Sequence, residues 1–265
     1  MRTFVDQLDR ELTIENPPKR IVSLVPSQTE LLVDLQLENA ICGVTKFCVH
    51  PPDLKKQKQV VGGTKQVNAD KIAELGPDII LCNKEENTPE IVYELEKIAP
   101  VHVSDIKTID DSLELIREYG EIFETREKAS EIVRDIDDQR KDFLKFMEGK
   151  PEKKVAYMIW KNPWMAVGKD TFVDHLMGLN NFRNIFENED SRYPEVSIDE
   201  VKEADLILLS TEPFPFKDKD KEELGIEVRK DRIHIVDGEF FSWYGSRLQK
   251  AFGYFRKLQS EVLAS

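Results

Sequence analysis

Residues 111–149, DSLELIREYGEIFETREKASEIVRDIDDQRKDFLKFMEG, contain no proline and carry apolar side chains at helical spacing. Leu113, Ile116, Phe123, Ile132, Ile136, Phe143 and Met147 recur at threes, fours and sums of these, so one apolar stripe crosses an otherwise charged surface. The pattern predicts helix. Gly120 and Thr125 divide it into a first helix and a second of roughly 20 residues, about 30 Å long and enough to cross a domain. Gly149 and Pro151 supply the usual stop signals. A surface helix of a single domain would read the same way. The argument for a bridging helix is that the chain on its two sides looks alike.

On the N-terminal side, residues 1–14 alternate apolar and polar and suit an edge hairpin. IVSLVP is a β-branched run that reads as a buried strand, and Ser27 with Glu30 three residues on has capping-box spacing ahead of LLVDLQL. AICGVT, the valines before Gly62-Gly63, GPDIILCN and PVHVSDI read as further strands. NADKIAEL and EIVYELEKIA read as helices, the second opened by Pro89.

Past the long helix the same order returns. KKVAYMIW matches RIVSLV, GKDT opens FVDHLMGL, VSIDEVKEADLILLSTE parallels NADKIAELGPDIILCNKE, and RIHIVDG repeats PVHVSDI. Setting Asp78 against Asp205 places Glu85 opposite Glu212, each seven residues further on. One half is a structural echo of the other. The expected fold is α/β: two Rossmann-like lobes with mainly parallel sheets, bridged by one long α-helix, with a ligand cleft between the lobes. The lobes span residues 1–110 and 151–265, and the helical segment residues 111–150.

Composition narrows the function. With 265 residues, 40% hydrophobic and 34% charged, the chain can bury a sizeable core. A net charge of −13 leaves no Lys/Arg excess for a phosphate backbone, so nucleic acid is excluded as a partner. No apolar run approaches the roughly 20 residues that span a bilayer. The start, MRTFVDQLDREL, lacks the apolar core of a secretory signal. As written the chain is expected in the cytoplasm; with a trimmed N-terminus it would be periplasmic or membrane-anchored. Cys42, Cys48 and Cys82 match no zinc spacing and read as small buried hydrophobes. His102 and His234 sit at matching places in strands and read as packing residues, which leaves His50 as the loop candidate for a metal.

In wound parallel sheets, ligands gather beyond the C-terminal strand ends. In the first half those residues include Pro26, Ser27, Gln28, Phe47, Thr64, Lys65, Glu85 and Asn87. In the second they include Trp160, Trp164, Glu212, Phe214, Phe240, Trp243 and Tyr244. All three tryptophans fall in these segments, where α/β turns ordinarily carry Gly, Asn and Ser. Flat rings suit a broad, partly apolar ligand, and the carboxylates and amides would fix its orientation. Trp160 and Phe240 also suit, though less well than the cleft, the seam between sheet and helix. Trp164 and Trp243, set among Pro, Gly and Ser, suit exposure to a cleft. Glu85 and Glu212 suit either the ligand or solvent. Enzyme signatures are missing: Ser27 lacks the glycines of a nucleophile elbow, Gly62-Gly63-Thr64-Lys65 lacks P-loop spacing, and no GxGxxG follows the first strand.

RIVSLVPSQTELL, GVTKFCVHPP, VGGTK, LGPDIILCNKEEN, NPWMAVGKDTF, VSIDEVKEADLILLSTEPFPF and DGEFFSWYGSR resemble the substrate-binding proteins of ABC importers that have a rigid backbone helix, the group of vitamin B12, haem and iron-siderophore receptors. The resemblance runs over most of residues 20–247 and is nearest to the cobalamin receptors. It implies a metal-chelate ligand held between two lobes with little closure, faced by Pro26, Phe47, Thr64, Trp164 and Phe240. Cobalamin receptors of this type carry tryptophan where this chain has Thr64 and Phe240, which keeps haem and ferric siderophores in play. The resemblance also implies docking on an ABC permease through one acidic residue per lobe, here Glu90 and either Asp199 or Glu200. The expected protein is a monomeric, non-enzymatic receptor that needs no cofactor beyond its ligand. The alternatives are a cytoplasmic metallocofactor carrier on the same scaffold and, from another class, a nucleotide-sugar enzyme with two facing lobes.

Overall fold

The computed structural model describes residues 2–263. The chain forms two compact units. The first takes in the chain up to Ile106, then Asp110–Ile136 and Tyr244–Arg247; the second takes in Lys107–Ile109, Asp137–Trp243 and the chain from Leu248 on.

In the first unit β1 (Arg2–Val5) and β2 (Glu11–Ile14) form an antiparallel hairpin, as their alternation predicts. The elements that follow are β3 (Ile21–Ser23), α1 (Pro26–Asp34), β4 (Ile41–Val44), α2 (Leu54–Gln57), β5 (Gln59–Val60), α3 (Ala69–Leu75), β6 (Ile79–Asn83), α4 (Pro89–Leu95) and β7 (Val101–Ser104). The five later strands pair in parallel in the order β5-β4-β3-β6-β7. Parallel neighbours need crossovers, which the helices supply. Ile21, Val22, Ile79, Ile80 and Leu81 are sealed from solvent, which accounts for unbroken apolar runs in place of alternation.

The capping box expected at Ser27 does not form. α1 begins at Pro26, its N-cap is Val25 and no side chain caps it. Proline at the first turn lacks the N–H that a cap would satisfy. Ser27, Gln28 and Glu30 instead turn inward and are buried.

α5 (Ile109–Ile122) and α6 (Arg126–Met147) carry the long amphipathic run. They part at residues 123–125, where Glu124 takes a φ of +57°. Gly120 lies inside α5 and does not break it. A Cβ there would come within 2.6 Å of the Ala129 Cβ, so glycine lets the two helices close on each other. α6 gives its 22 residues to both units, the first half to one and the second half to the other.

The second unit continues with β8 (Lys153–Trp160), β9 (Met165–Ala166), α7 (Phe172–Leu179), β10 (Phe182–Asn184), α8 (Ile198–Val201), β11 (Leu206–Ser210), α9 (Asp218–Leu224), β12 (Ile233–Val236), α10 (Glu239–Ser242) and α11 (Leu248–Leu263). Its sheet runs β10-β8-β11-β12 in parallel, with β9 antiparallel beside β8. Ala156, Met158, Ile207, Leu209, Phe216 and Ile233 form its core. Thr171 caps α7, its hydroxyl accepting from the Asp174 N–H.

The echo between halves extends to hydrogen bonds. Asp78, just before β6, accepts from the backbone N–H of Lys19 and Arg20 at the start of β3. Asp205, just before β11, accepts from the Lys154 N–H at the start of β8. At the far ends, the Asn83 Oδ1 accepts from the Glu85 N–H and the Ser210 Oγ from the Glu212 N–H.

Candidate functional site

A parallel sheet collects ligands where its strand order reverses. In the first unit the reversal lies between β3 and β6. A buried polar cluster stands there. The Gln28 Nε2 lies 3.1 Å from the Cys82 carbonyl, 2.8 Å from the Ser104 Oγ and 2.9 Å from the Tyr244 OH, while its Oε1 accepts from the Tyr119 OH at 2.8 Å. Burial pushes both phenols well above the ordinary tyrosine value, so both stay protonated, Tyr119 donating to Gln28 and Tyr244 accepting from it. Tyr119 and Ser104 escaped the sequence reading, since nothing local marks residues so distant as partners of Gln28.

Around this cluster the expected residues divide into ties and rim. The Asn87 Nδ2 donates to the Thr64 carbonyl at 2.8 Å and the Asn87 Oδ1 accepts from the Asn83 N–H at 2.9 Å. The Lys65 ammonium donates to the Glu85 carbonyl. Thr64, Lys65, Glu85 and Asn87 thus join the Gly62-Gly63 turn to the loop after β6. Ser27 is buried and Pro26 half-buried. Phe47 stands out at 49% exposure, with the Lys46 Nζ 4.9 Å from its ring centroid.

In the second unit the reversal lies between β8 and β11. Four rings follow one another there. Trp160, 41% exposed, meets Phe214 edge-on at 5.6 Å; Phe214 lies 4.7 Å from Phe216; and Phe216 stacks on Trp164 at 5.8 Å. Lys161 braces the row, its Nζ 3.1 Å from Asp220, 2.5 Å from Glu223 and 5.7 Å from the Trp164 centroid. The Glu223 bond, joined by Asp220, holds the lysine above its ordinary value against burial.

Trp243 corrects the expectation of an exposed indole. It is 7% exposed, and its buried Nε1 donates to the Glu212 Oε1 at 2.8 Å. Phe240 is half-buried and stacks on Tyr254 at 4.6 Å. Tyr244 groups with the first unit and Trp243 with the second.

Glu90 is exposed in the first turn of α4, and the Thr88 hydroxyl, with the backbone N–H of Glu90, holds its carboxyl below the ordinary glutamate value. Asp199 is exposed on α8 and pairs with Lys202 at 2.8 Å, whereas Glu200 is engaged in a capping box with Ser197. His50 is half-buried in the loop after β4. Among the described residues no group of three or more His, Cys, Asp or Glu could hold a metal ion, and no helix is long and apolar enough to cross a membrane.

Residues 21–227 match the family described as periplasmic binding protein. An uncharacterized ABC transporter substrate-binding lipoprotein, YvrC of Bacillus subtilis, is 26% identical over 93% of this chain and 81% of its own length. A vitamin B12-binding protein of Vibrio cholerae is 25% identical over 73% of this chain and 71% of its own. In fold, the crystal structure of the periplasmic vitamin B12 binding protein BtuF of Vibrio cholerae superposes with a TM-score of 0.80 at 20% identity, covering 94% of this chain and 99% of that one. The named relatives are binding proteins, and this chain belongs to the periplasmic binding protein family.

Proposed function

We propose that this protein is a non-enzymatic receptor that binds a flat metal chelate and hands it to an ABC-type permease. The observation that carries this reading is the group of rings Trp160, Phe214 and Trp164 at the strand reversal of the second unit, seated on the buried Phe216. Aromatic faces bind a planar or broad apolar surface without a charge of their own. In the first unit the exposed Phe47 supplies a ring of the same kind. A corrinoid is the first ligand to try, on the strength of the B12-binding relative; haem and ferric siderophores share the chemistry. No cofactor is required besides the ligand.

Delivery to a permease is supported by the ABC transporter lipoprotein relative and by Glu90 and Asp199, each exposed in the first turn of a helix. The same relatives favour a place outside the cytoplasm over a cytoplasmic carrier.

Titration of the protein with cyanocobalamin, haemin and ferrichrome, followed by tryptophan quenching, tests the proposal. Saturable quenching by one of them, with the ligand recovered unchanged, is expected. No quenching by any, together with turnover of a nucleotide sugar, would reverse it.

A further inference from the structure

We propose that Glu212 is a positioning residue: its carboxylate sets the indole of Trp243 and the turn of α10, and does not meet the ligand as a charge. The inference rests on the receptor reading above. The sequence places Glu212 two residues beyond β11, where a ligand contact is expected. Its Oε1, however, accepts from the Trp243 Nε1 at 2.8 Å and from the Ser242 Oγ at 2.5 Å.

These bonds belong to a larger tie between two loops. The Gly238 N–H donates to the Thr211 Oγ1 at 2.9 Å, and the Ser210 Oγ donates to the Glu212 carbonyl at 2.6 Å. A Cβ on Gly238 would lie 2.4 Å from the Ser210 Oγ and 2.6 Å from the Glu212 Cγ, so only glycine allows the approach. α10 has four residues, too few to hold a helix by its own hydrogen bonds, and its place is set from outside. The rings on and beside it inherit that place: Phe241 packs on Tyr157 at 5.1 Å, Phe240 stacks on Tyr254, and Trp243 is buried over Glu212. An indole N–H is a donor only, and leaving it buried without an acceptor is costly. The role asks for an oxygen in this position. It does not ask for a charge.

That distinction supplies the test. E212Q keeps an acceptor oxygen for Trp243 and Ser242, and E212A removes it. With Trp160 and Trp164 replaced by phenylalanine, Trp243 is the sole tryptophan and its emission reports its surroundings directly. In that background E212A is expected to shift the emission to longer wavelength and E212Q to restore it; an unmoved emission in E212A overturns the proposal. With all three tryptophans present, E212A is expected to weaken the binding of cyanocobalamin, haemin or ferrichrome about tenfold, against about threefold or less for E212Q. In a W243F background the added E212A is expected to cost less than in the native protein, since the bond to the indole is already gone and only the bond to Ser242 remains to be lost. Equal losses in E212Q and E212A would assign the carboxylate to the ligand and overturn the proposal. If no probe binds the native protein, the receptor reading fails, and the emission of the single-tryptophan variants still decides the role of Glu212.

Discussion

The guanidinium of Arg247 grips the carboxylate of Glu30 through two hydrogen bonds, Nε to Oε2 at 2.8 Å and Nη2 to Oε1 at 2.9 Å, across 217 residues of sequence. Both side chains are more than nine-tenths buried. With the Gly245 N–H on the Ser112 Oγ and the Gln28 Nε2 on the Tyr244 hydroxyl oxygen, this pair binds the short segment Tyr244–Arg247 into the first unit.

Removing one partner leaves a buried charge without its counterion. R247A is therefore expected to lower stability by about 3–5 kcal/mol in urea unfolding. The paired replacement E30L/R247M, which buries no charge, is expected to lose less than either single change. A loss within experimental error in R247A would show the pair to be unimportant.

Asp6 sets an acid limit on the first unit. Its buried carboxylate takes five hydrogen bonds, from the backbone N–H groups of Leu8, Arg10 and Val103 and from two nitrogens of the Arg10 guanidinium. Burial opposes the charge, but the Arg10 side chain and the three N–H groups outweigh it and hold the carboxyl below the ordinary value of 3.8. A depressed folded-state value means that the ionised form is bound more tightly in the folded chain. The stability it confers is present above the unfolded value and is lost as pH falls through the folded one. D6N turns an amide nitrogen toward donors or loses an acceptor, and is expected to cost about 1.5–3 kcal/mol at neutral pH. Urea midpoints measured down the acid limb are expected to converge for D6N and the native protein. A gap that stays constant to the lowest pH would remove Asp6 from the acid response.

The matched aspartates before β6 and β11 make a prediction about the repeat. Asp78 takes two backbone N–H groups and Asp205 one. Both are exposed, so D78A and D205A are each expected to cost only about 1 kcal/mol. Being far apart in sequence and serving separate sheets, they should add in the double variant, read as urea midpoints. Strong non-additivity would contradict independent roles.

The frame was legible because burial on both faces of a parallel sheet writes itself as unbroken runs such as IVSLV and LILLS, and because Asp78 and Asp205 recur at the same step before them. The long helices were legible from their stripe. Of the two residues expected to divide them, Thr125 does stand in the break, whereas Gly120, a common stop signal, lies inside the first helix and serves the close approach to Ala129. The interior of the candidate site was less legible. Gln28 meets Tyr119 across 91 residues and Ser104 across 76, and Glu30 meets Arg247 across 217, distances at which no local pattern operates. Ser27 and Glu30 have capping-box spacing by coincidence, their side chains being claimed by the core. Trp243 misled for a related reason: its polar neighbours suggest an exposed loop, but the acceptor that satisfies its buried N–H sits beyond another strand end, at Glu212.

The most direct measurement is equilibrium dialysis of the native protein and of W160A/F214A, which removes the outer half of the aromatic row, against cyanocobalamin, haemin and ferrichrome. Retention of one equivalent of one ligand by the native protein, weakened about tenfold or more in the variant, is the predicted result. Failure of the native protein to retain any of the three, or equal retention by the variant, would contradict a receptor that grips its ligand by these rings.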